Sequence, residues 1–289
     1  MTPLTSLVLI PLVVLLLPSC APTSQESIEL ELKTSGSPVN NFAASDSLSI
    51  TLTQSDAAFG PLYLCPGNQA GHLCDTARMQ WLESAVVDTL DEESKTIGIL
   101  KGFSGETRSW MYDHGIASLL TQKENLRLSA VEELGGYSIV LQGHAQIESL
   151  ELPFSVHLIV QQGPETEQGL PVIRKSQNEE FVQEITHVNE ALHVQFDPAN
   201  WLVGLRTSDF IQDRNCLPFT SPVVCAQQIE LRCSPEGMVA ETRDCSETNQ
   251  VCAPFEGCVD TIEFKEESAA YRSIQQRVIA GKHPDFTFQ

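Results

Sequence analysis

Six cysteines fall within 43 residues, at 216, 225, 233, 245, 252 and 258. Few large apolar side chains lie between them, so this stretch cannot bury a core of its own and must be stapled. Zinc is one staple, but the paired Cys-x-x-Cys spacing that zinc sites favour occurs nowhere in the chain. Disulfides are therefore expected, and they require an oxidising compartment. Upstream, Cys65 and Cys74 enclose eight residues, which suits a local bridge. Closing a loop of about ten residues contributes roughly 2.5–3 kcal/mol on the chain-entropy model.

The start of the chain supplies that compartment. Leu7 to Leu17 is an apolar run of eleven residues interrupted by Pro11. That lies inside the roughly 7–15 residues of a secretory signal's apolar core and short of the roughly 20 needed to span a bilayer. It ends on Leu17-Pro18-Ser19-Cys20, and this ending resembles the lipobox of bacterial lipoproteins. The resemblance implies removal of the signal, lipidation of Cys20 and membrane attachment through that lipid, with the outer membrane as the expected site. Ser19-Cys20-Ala21 also fits the small-x-small rule for ordinary secretion with cleavage after Ala21. Either route removes one of nine cysteines and leaves an even eight.

Residues 1–20 hold no charged side chain, so the whole formal charge of −21 belongs to the exported part. Such acidity repels phosphate backbones, and no nucleic-acid partner is expected. No Asp-x-Asp-x-Asp-Gly loop accompanies it, so the acidity reads as a solvated exterior rather than a calcium site, and no cofactor is expected.

Alternation carries the fold. Ile28, Leu30 and Leu32 share one face of a strand, and Leu48, Ile50 and Leu52 share another. Asp75 suits the start of a short helix with Met79 and Leu82, before Val86 and Val87 return to strand. Thr96–Leu100 and Arg108–Leu120 read as strands, with Gly102–Glu106 as a turn and Gly115 as a break. Tyr137–Ile147 and Pro153–Gln161 alternate most regularly and are close enough for a hairpin. A second hairpin is expected from Phe181–Val188 and Ala191–Phe196 around Asn189-Glu190, and the loop Gly163–Gly169 should be exposed. Asp197-Pro198 opens a single helical turn that inserts Trp201.

Ten or more short strands without strand–helix alternation predict a mainly β chain, an antiparallel β-sandwich. The divisions are a signal (1–20), a linker (21–27), a sandwich (28–212), a disulfide-rich segment (213–260), and a C-terminal helix and tail (261–289). Within the last, Glu263–Ala280 is expected to be helical with Tyr271, Ile274 and Val278 as its apolar stripe.

The run Cys233-x11-Cys245-x6-Cys252-x5-Cys258 resembles short cysteine modules on surface lipoproteins of myxobacterium-like bacteria. With Phe59–Cys65 and Phe196–Trp201, the whole chain is similar to uncharacterised lipoproteins of such organisms, from which no activity follows. Fifteen pairings of the six distal cysteines stay open.

The histidines are the candidates for concealed chemistry. Pairing Ala145 with Val156 and Ile147 with Phe154 sets His144 opposite His157 on the outward face, within reach of a shared metal or proton. Two ligands make a weak site. His72 beside Cys74, and His187 with His193, are lesser pairs; Trp81, Trp110 and Trp201 read as core. No Gly-x-Ser-x-Gly elbow or other nucleophile–base pattern appears, and no catalytic residue is assigned. The favoured function is a non-catalytic binding or structural role in the envelope, toward a protein or envelope ligand. A metal-binding protein using sheet histidines, and then a hydrolase without a recognisable motif, are the alternatives.

Overall fold

The computed structural model describes residues 26–67, 76–117, 126–160, 182–211, 216, 222–253 and 255–289. Alternation governs its start. Strands β1 (Ser27–Ser35), β2 (Asn41–Ser45), β3 (Leu48–Phe59) and β4 (Leu62–Cys65) bury every second side chain over most of their length. Next come β5 (Met79–Trp81), β6 (Ala85–Asp88) and β7 (Lys95–Phe103). Met79 and Trp81 face inward around exposed Gln80, and Leu82 points to solvent. That alternation defeats the helix expected from the Met79–Leu82 spacing.

The short strands β8 (Gly105–Thr107), β9 (Ser109–Tyr112), β10 (Ile116–Ala117) and β11 (Leu126–Arg127) lead to helix α1 (Ser129–Glu133). Gly115, between β9 and β10, has φ +69°, and a Cβ there would meet Val131 at 2.6 Å and Ala58 at 2.8 Å. Only glycine suits that position. Strands β12 (Ile139–Ile147) and β13 (Leu150–Leu158) then form the long hairpin.

Strands β14 (Gln183–Ile185) and β15 (Ala191–Gln195) do not pair with each other, contrary to the hairpin expected there. β14 joins β8, whereas β15 runs parallel to β1. The intervening bend is held by Asn189, whose Oδ1 accepts the Thr186 N–H at 2.9 Å. Leu192 and Val194 thereby reach the core, while β14 buries only Ile185. The single turn α2 (Ala199–Leu202) follows as expected, with Asp197 Oδ1 accepting the Ala199 N–H and Trp201 buried. After a second turn, α3 (Thr207–Phe210), come β16 (Val223–Ala226), β17 (Ile229–Cys233), β18 (Val239–Asp244), β19 (Val251–Ala253) and β20 (Gly257–Val259). The chain ends in β21 (Ile262–Phe264), helix α4 (Ala269–Ala280) and β22 (Asp285–Phe288).

Two large sheets build the sandwich. One has the order β22-β15-β1-β7-β5-β4-β9; the other runs β2-β3-β12-β13-β21, with β6 also on β3. Most pairs are antiparallel, but β1–β15 and β13–β21 are parallel. The inner faces share one core in which Leu30, Leu64 and Leu100 of the first sheet meet Ile50, Leu141 and Val156 of the second. Trp201, Leu202 and Phe210 plug this core from α2 and α3, and Phe210 stacks edge-on to Phe264 at 5.1 Å.

The division of the chain at residue 212 does not match how the sheets are assembled. β21 completes the edge of one sheet and β22 the edge of the other, both from the segment assigned to the C-terminal helix and tail. α4 begins at Ala269, where Ser268 Oγ accepts the Tyr271 N–H at 3.0 Å, and buries Tyr271, Ile274 and Val278. Residues 263 and 264, expected in the helix, are strand instead because Ile262 and Phe264 alternate inward around Glu263.

Candidate functional site

Outside the sandwich, β16-β17-β18 and the β19–β20 hairpin form a module with little apolar core. Three disulfides hold it: Cys216–Cys233, Cys225–Cys252 and Cys245–Cys258. Cys65 is also disulfide-bonded; Cys74, the lipobox cysteine Cys20, His72 and the loop 163–169 lie outside the described residues. Disulfides in this number belong to a protein that folds outside the cytoplasm. No helix among the described residues is long and apolar enough to cross a membrane.

The histidine pair expected on the hairpin does not form. Ile147 pairs with Leu150 across a two-residue turn in which Glu148 takes φ +53°. His144 consequently faces Pro153, and His157 faces Val140. The register lies four residues from the one expected, an even step that keeps every apolar side chain inward. The two imidazoles are thus offset by four residues along the sheet, about 13 Å at 3.3 Å per residue. Each turns to a carboxylate instead: His144 Nε2 lies 4.0 Å from Glu151, and His157 Nδ1 lies 3.6 Å from Glu263.

His187 and His193 are likewise engaged apart. His187 sits 3.7 Å from Glu26, and His193 stands opposite Lys33 and Thr287 on neighbouring strands. Burial, and then the Lys33 ammonium, push the His193 pKa below the ordinary 6.5, and its Nε2 is enclosed without a hydrogen bond. It therefore favours the neutral ring.

Sequence reasoning missed the constellation that does form. β9 and β22 are opposite edges of the large sheet, yet their side chains meet. Trp110 stacks on Phe286 with ring centres 4.7 Å apart, and His283 packs edge-on to Trp110 at 4.8 Å. The Tyr112 hydroxyl lies 3.3 Å from His283 Nδ1. Deeper in, Tyr112 touches Phe59 and His114, and His114 meets Trp201. The Ala58 carbonyl can only accept, so the 3.1 Å contact with His114 Nδ1 places the proton on that nitrogen. Neutral His114 then carries no proton on Nε2.

Trp110, Tyr112 and His114 alternate along β9 and its extension, a pattern visible in the sequence. His283 and Phe286, the partners of Trp110 and Tyr112, arrive more than 160 residues later, which no local pattern reports. Trp110, as expected, and Tyr112 are core residues, 6% and 2% exposed, with Phe286 packed against them, so only the partly exposed His283 and Phe286 of this cluster reach the surface.

Metal-ligand spacing occurs in a different place. Glu230, Cys245 and Cys258 bring ligand atoms within 4.8 Å of one another, but both sulfurs are committed to their bridge. Glu230 is 3% exposed; its carboxylate accepts from Arg232 Nε at 2.9 Å and from the Cys258 N–H at 3.1 Å. The Arg232 hydrogen bond, ahead of the Cys258 amide, holds its pKa below the usual carboxylate value against the opposing effect of burial.

No family model matches the chain, and no curated protein matches it. Among solved structures, MbnP from Methylosinus trichosporium is similar with a TM-score of 0.32 and 9% identity, over 91% of this chain and 98% of that one. The likeness is too distant to transfer either a fold or a role.

Proposed function

We propose that the chain is an exported, lipid-anchored, non-catalytic binding protein of the bacterial envelope. In this reading the sandwich is a rigid scaffold, and the partly exposed His283 and Phe286, backed by buried Trp110 and Tyr112, form its ligand contact. The observation that carries the reading is that ring cluster, where opposite edges of one sheet bring the partly exposed His283 and Phe286 onto buried Trp110 and Tyr112. The disulfides support export, and Cys20 lies seven residues before β1, close enough to hold the body near a membrane surface.

Two acyl chains hold a protein stably because each buried methylene contributes about 0.8 kcal/mol. Wild-type protein should therefore enter the detergent phase of a Triton X-114 extraction, and Cys20→Ser should accumulate as unprocessed precursor. Mature wild-type protein found in the aqueous phase contradicts the anchor. For the binding role, envelope extracts passed over immobilised wild type and His283→Ala, a partly exposed position, should differ in what they retain. Equal retention removes the ring cluster from the reading.

A further inference from the structure

Cys252 and Cys258 are direct partners across the β19–β20 hairpin, so the two bridges leaving them run side by side. Cys225, Cys245 and Cys252 are buried together, and Cys258 is half-exposed beside them. A carboxylate reaches into this sulfur cluster. Glu230 lies against Gly257, where a Cβ would come within 2.7 Å of its Oε2, so the glycine makes room for the oxygen. Glu230 is the one charged residue among the buried polar side chains of the described chain.

Arg232 and the Cys258 amide hold the Glu230 carboxylate where its oxygen and the Cys245 and Cys258 sulfurs lie within 4.8 Å of one another. We propose that the module has a second, dithiol state in which Glu230, Cys245 and Cys258 bind a thiophilic divalent cation such as zinc, with water in the fourth position. The state is reached by thiol–disulfide exchange with an envelope dithiol. Its thiolate attacks the accessible Cys258 sulfur, and Cys245 leaves as thiolate; the second thiol of the reductant then displaces Cys258 and closes its own disulfide. Two electrons and two protons pass to the protein, and the reductant is oxidised by the same amount. Metal binding then releases the two thiol protons.

Geometry and charge both suit the site. Zinc–sulfur bonds of about 2.3 Å in a tetrahedron set the sulfurs about 3.8 Å apart, which the Cα separation of 5.2 Å accommodates by side-chain rotation. Two thiolates and the Glu230 carboxylate carry −3, which a divalent cation and the Arg232 guanidinium balance to zero. Arg232 orients the carboxylate from outside, as partners of metal ligands commonly do.

The test is a cobalt(II) titration of the whole mature chain, before and after reduction with a phosphine that does not hold the metal. The reduced protein should develop the near-ultraviolet thiolate-to-cobalt band and release the cobalt to zinc; the oxidised protein should show no band. Glu230→Gln should weaken cobalt binding at least tenfold, while Cys225→Ser/Cys252→Ser should keep the band. Thiols of a collapsed module would bind without regard to residue 230. Unchanged affinity in Glu230→Gln, or no band in reduced wild type, overturns the proposal.

Discussion

His193 shows how far one residue's position governs its chemistry. It occupies the outward face of β15, where the sequence allows an ordinary solvated imidazole, but Lys33 of the parallel strand stands beside it. Burial and this ammonium lower its pKa, so the unfolded chain takes up a proton more readily than the folded one. Its contribution is therefore complete above the ordinary value of 6.5 and is lost as pH falls below it. The denaturation midpoint of wild type should decline between about pH 7 and pH 5.5 more steeply than that of His193→Gln. Parallel curves contradict the shift. The Lys33–His193 neighbourhood was hidden in the sequence because 160 residues separate the two and nothing local marks a parallel pair. By contrast, the inward positions Leu30, Ile50, Leu141 and Val156 were legible from alternation alone, since burial on one face imposes a period of two.

At the scale of elements, faces were readable and registers were not. Alternation fixes which side of β12 and β13 is buried, yet every even displacement satisfies it equally. The two-residue turn at Glu148-Ser149 made the choice, and its positive φ at a glutamate is a conformation that sequence rules assign to Gly or Asn. His144 and His157 were separated as a result. Zinc or copper should therefore leave the melting temperature of wild type and His144→Ala equally unmoved, and the mutant should lie within about 0.5 kcal/mol of wild type. A metal-dependent rise lost in His144→Ala would mean the register is wrong. Helix α4 was legible in its stripe but not in its start, because strand β21 takes the helix former Glu263 and a turn takes Glu266 and Glu267. Its cap is Ser268, and Ser268→Ala should cost about 1 kcal/mol in urea unfolding with an unchanged m-value. A neutral substitution would show that packing of Tyr271, Ile274 and Val278 alone sets the helix.

The whole molecule is two differently built bodies on one chain. The sandwich relies on apolar burial and recruits its last edge strands, β21 and β22, from the end of the sequence. The module between those strands and the rest relies on sulfur. That composition shift was visible in the sequence; the pairing was not, since six cysteines allow 15 connectivities and only the folded hairpins choose among them. The ring cluster of Trp110, Tyr112, His283 and Phe286 was illegible for a related reason: it exists only when the chain's last strand meets an edge formed far upstream. The disulfides and the proposed lipid at Cys20 together make a definite demand on the covalent structure. Peptide mass mapping of protein taken from the native envelope without reduction should find Cys216–Cys233, Cys225–Cys252, Cys245–Cys258 and Cys65–Cys74, with a diacylated Cys20 as the first residue. A bridge from Cys65 or Cys74 into the distal six, free thiols throughout, or an unmodified N-terminus beyond Cys20 would contradict the account.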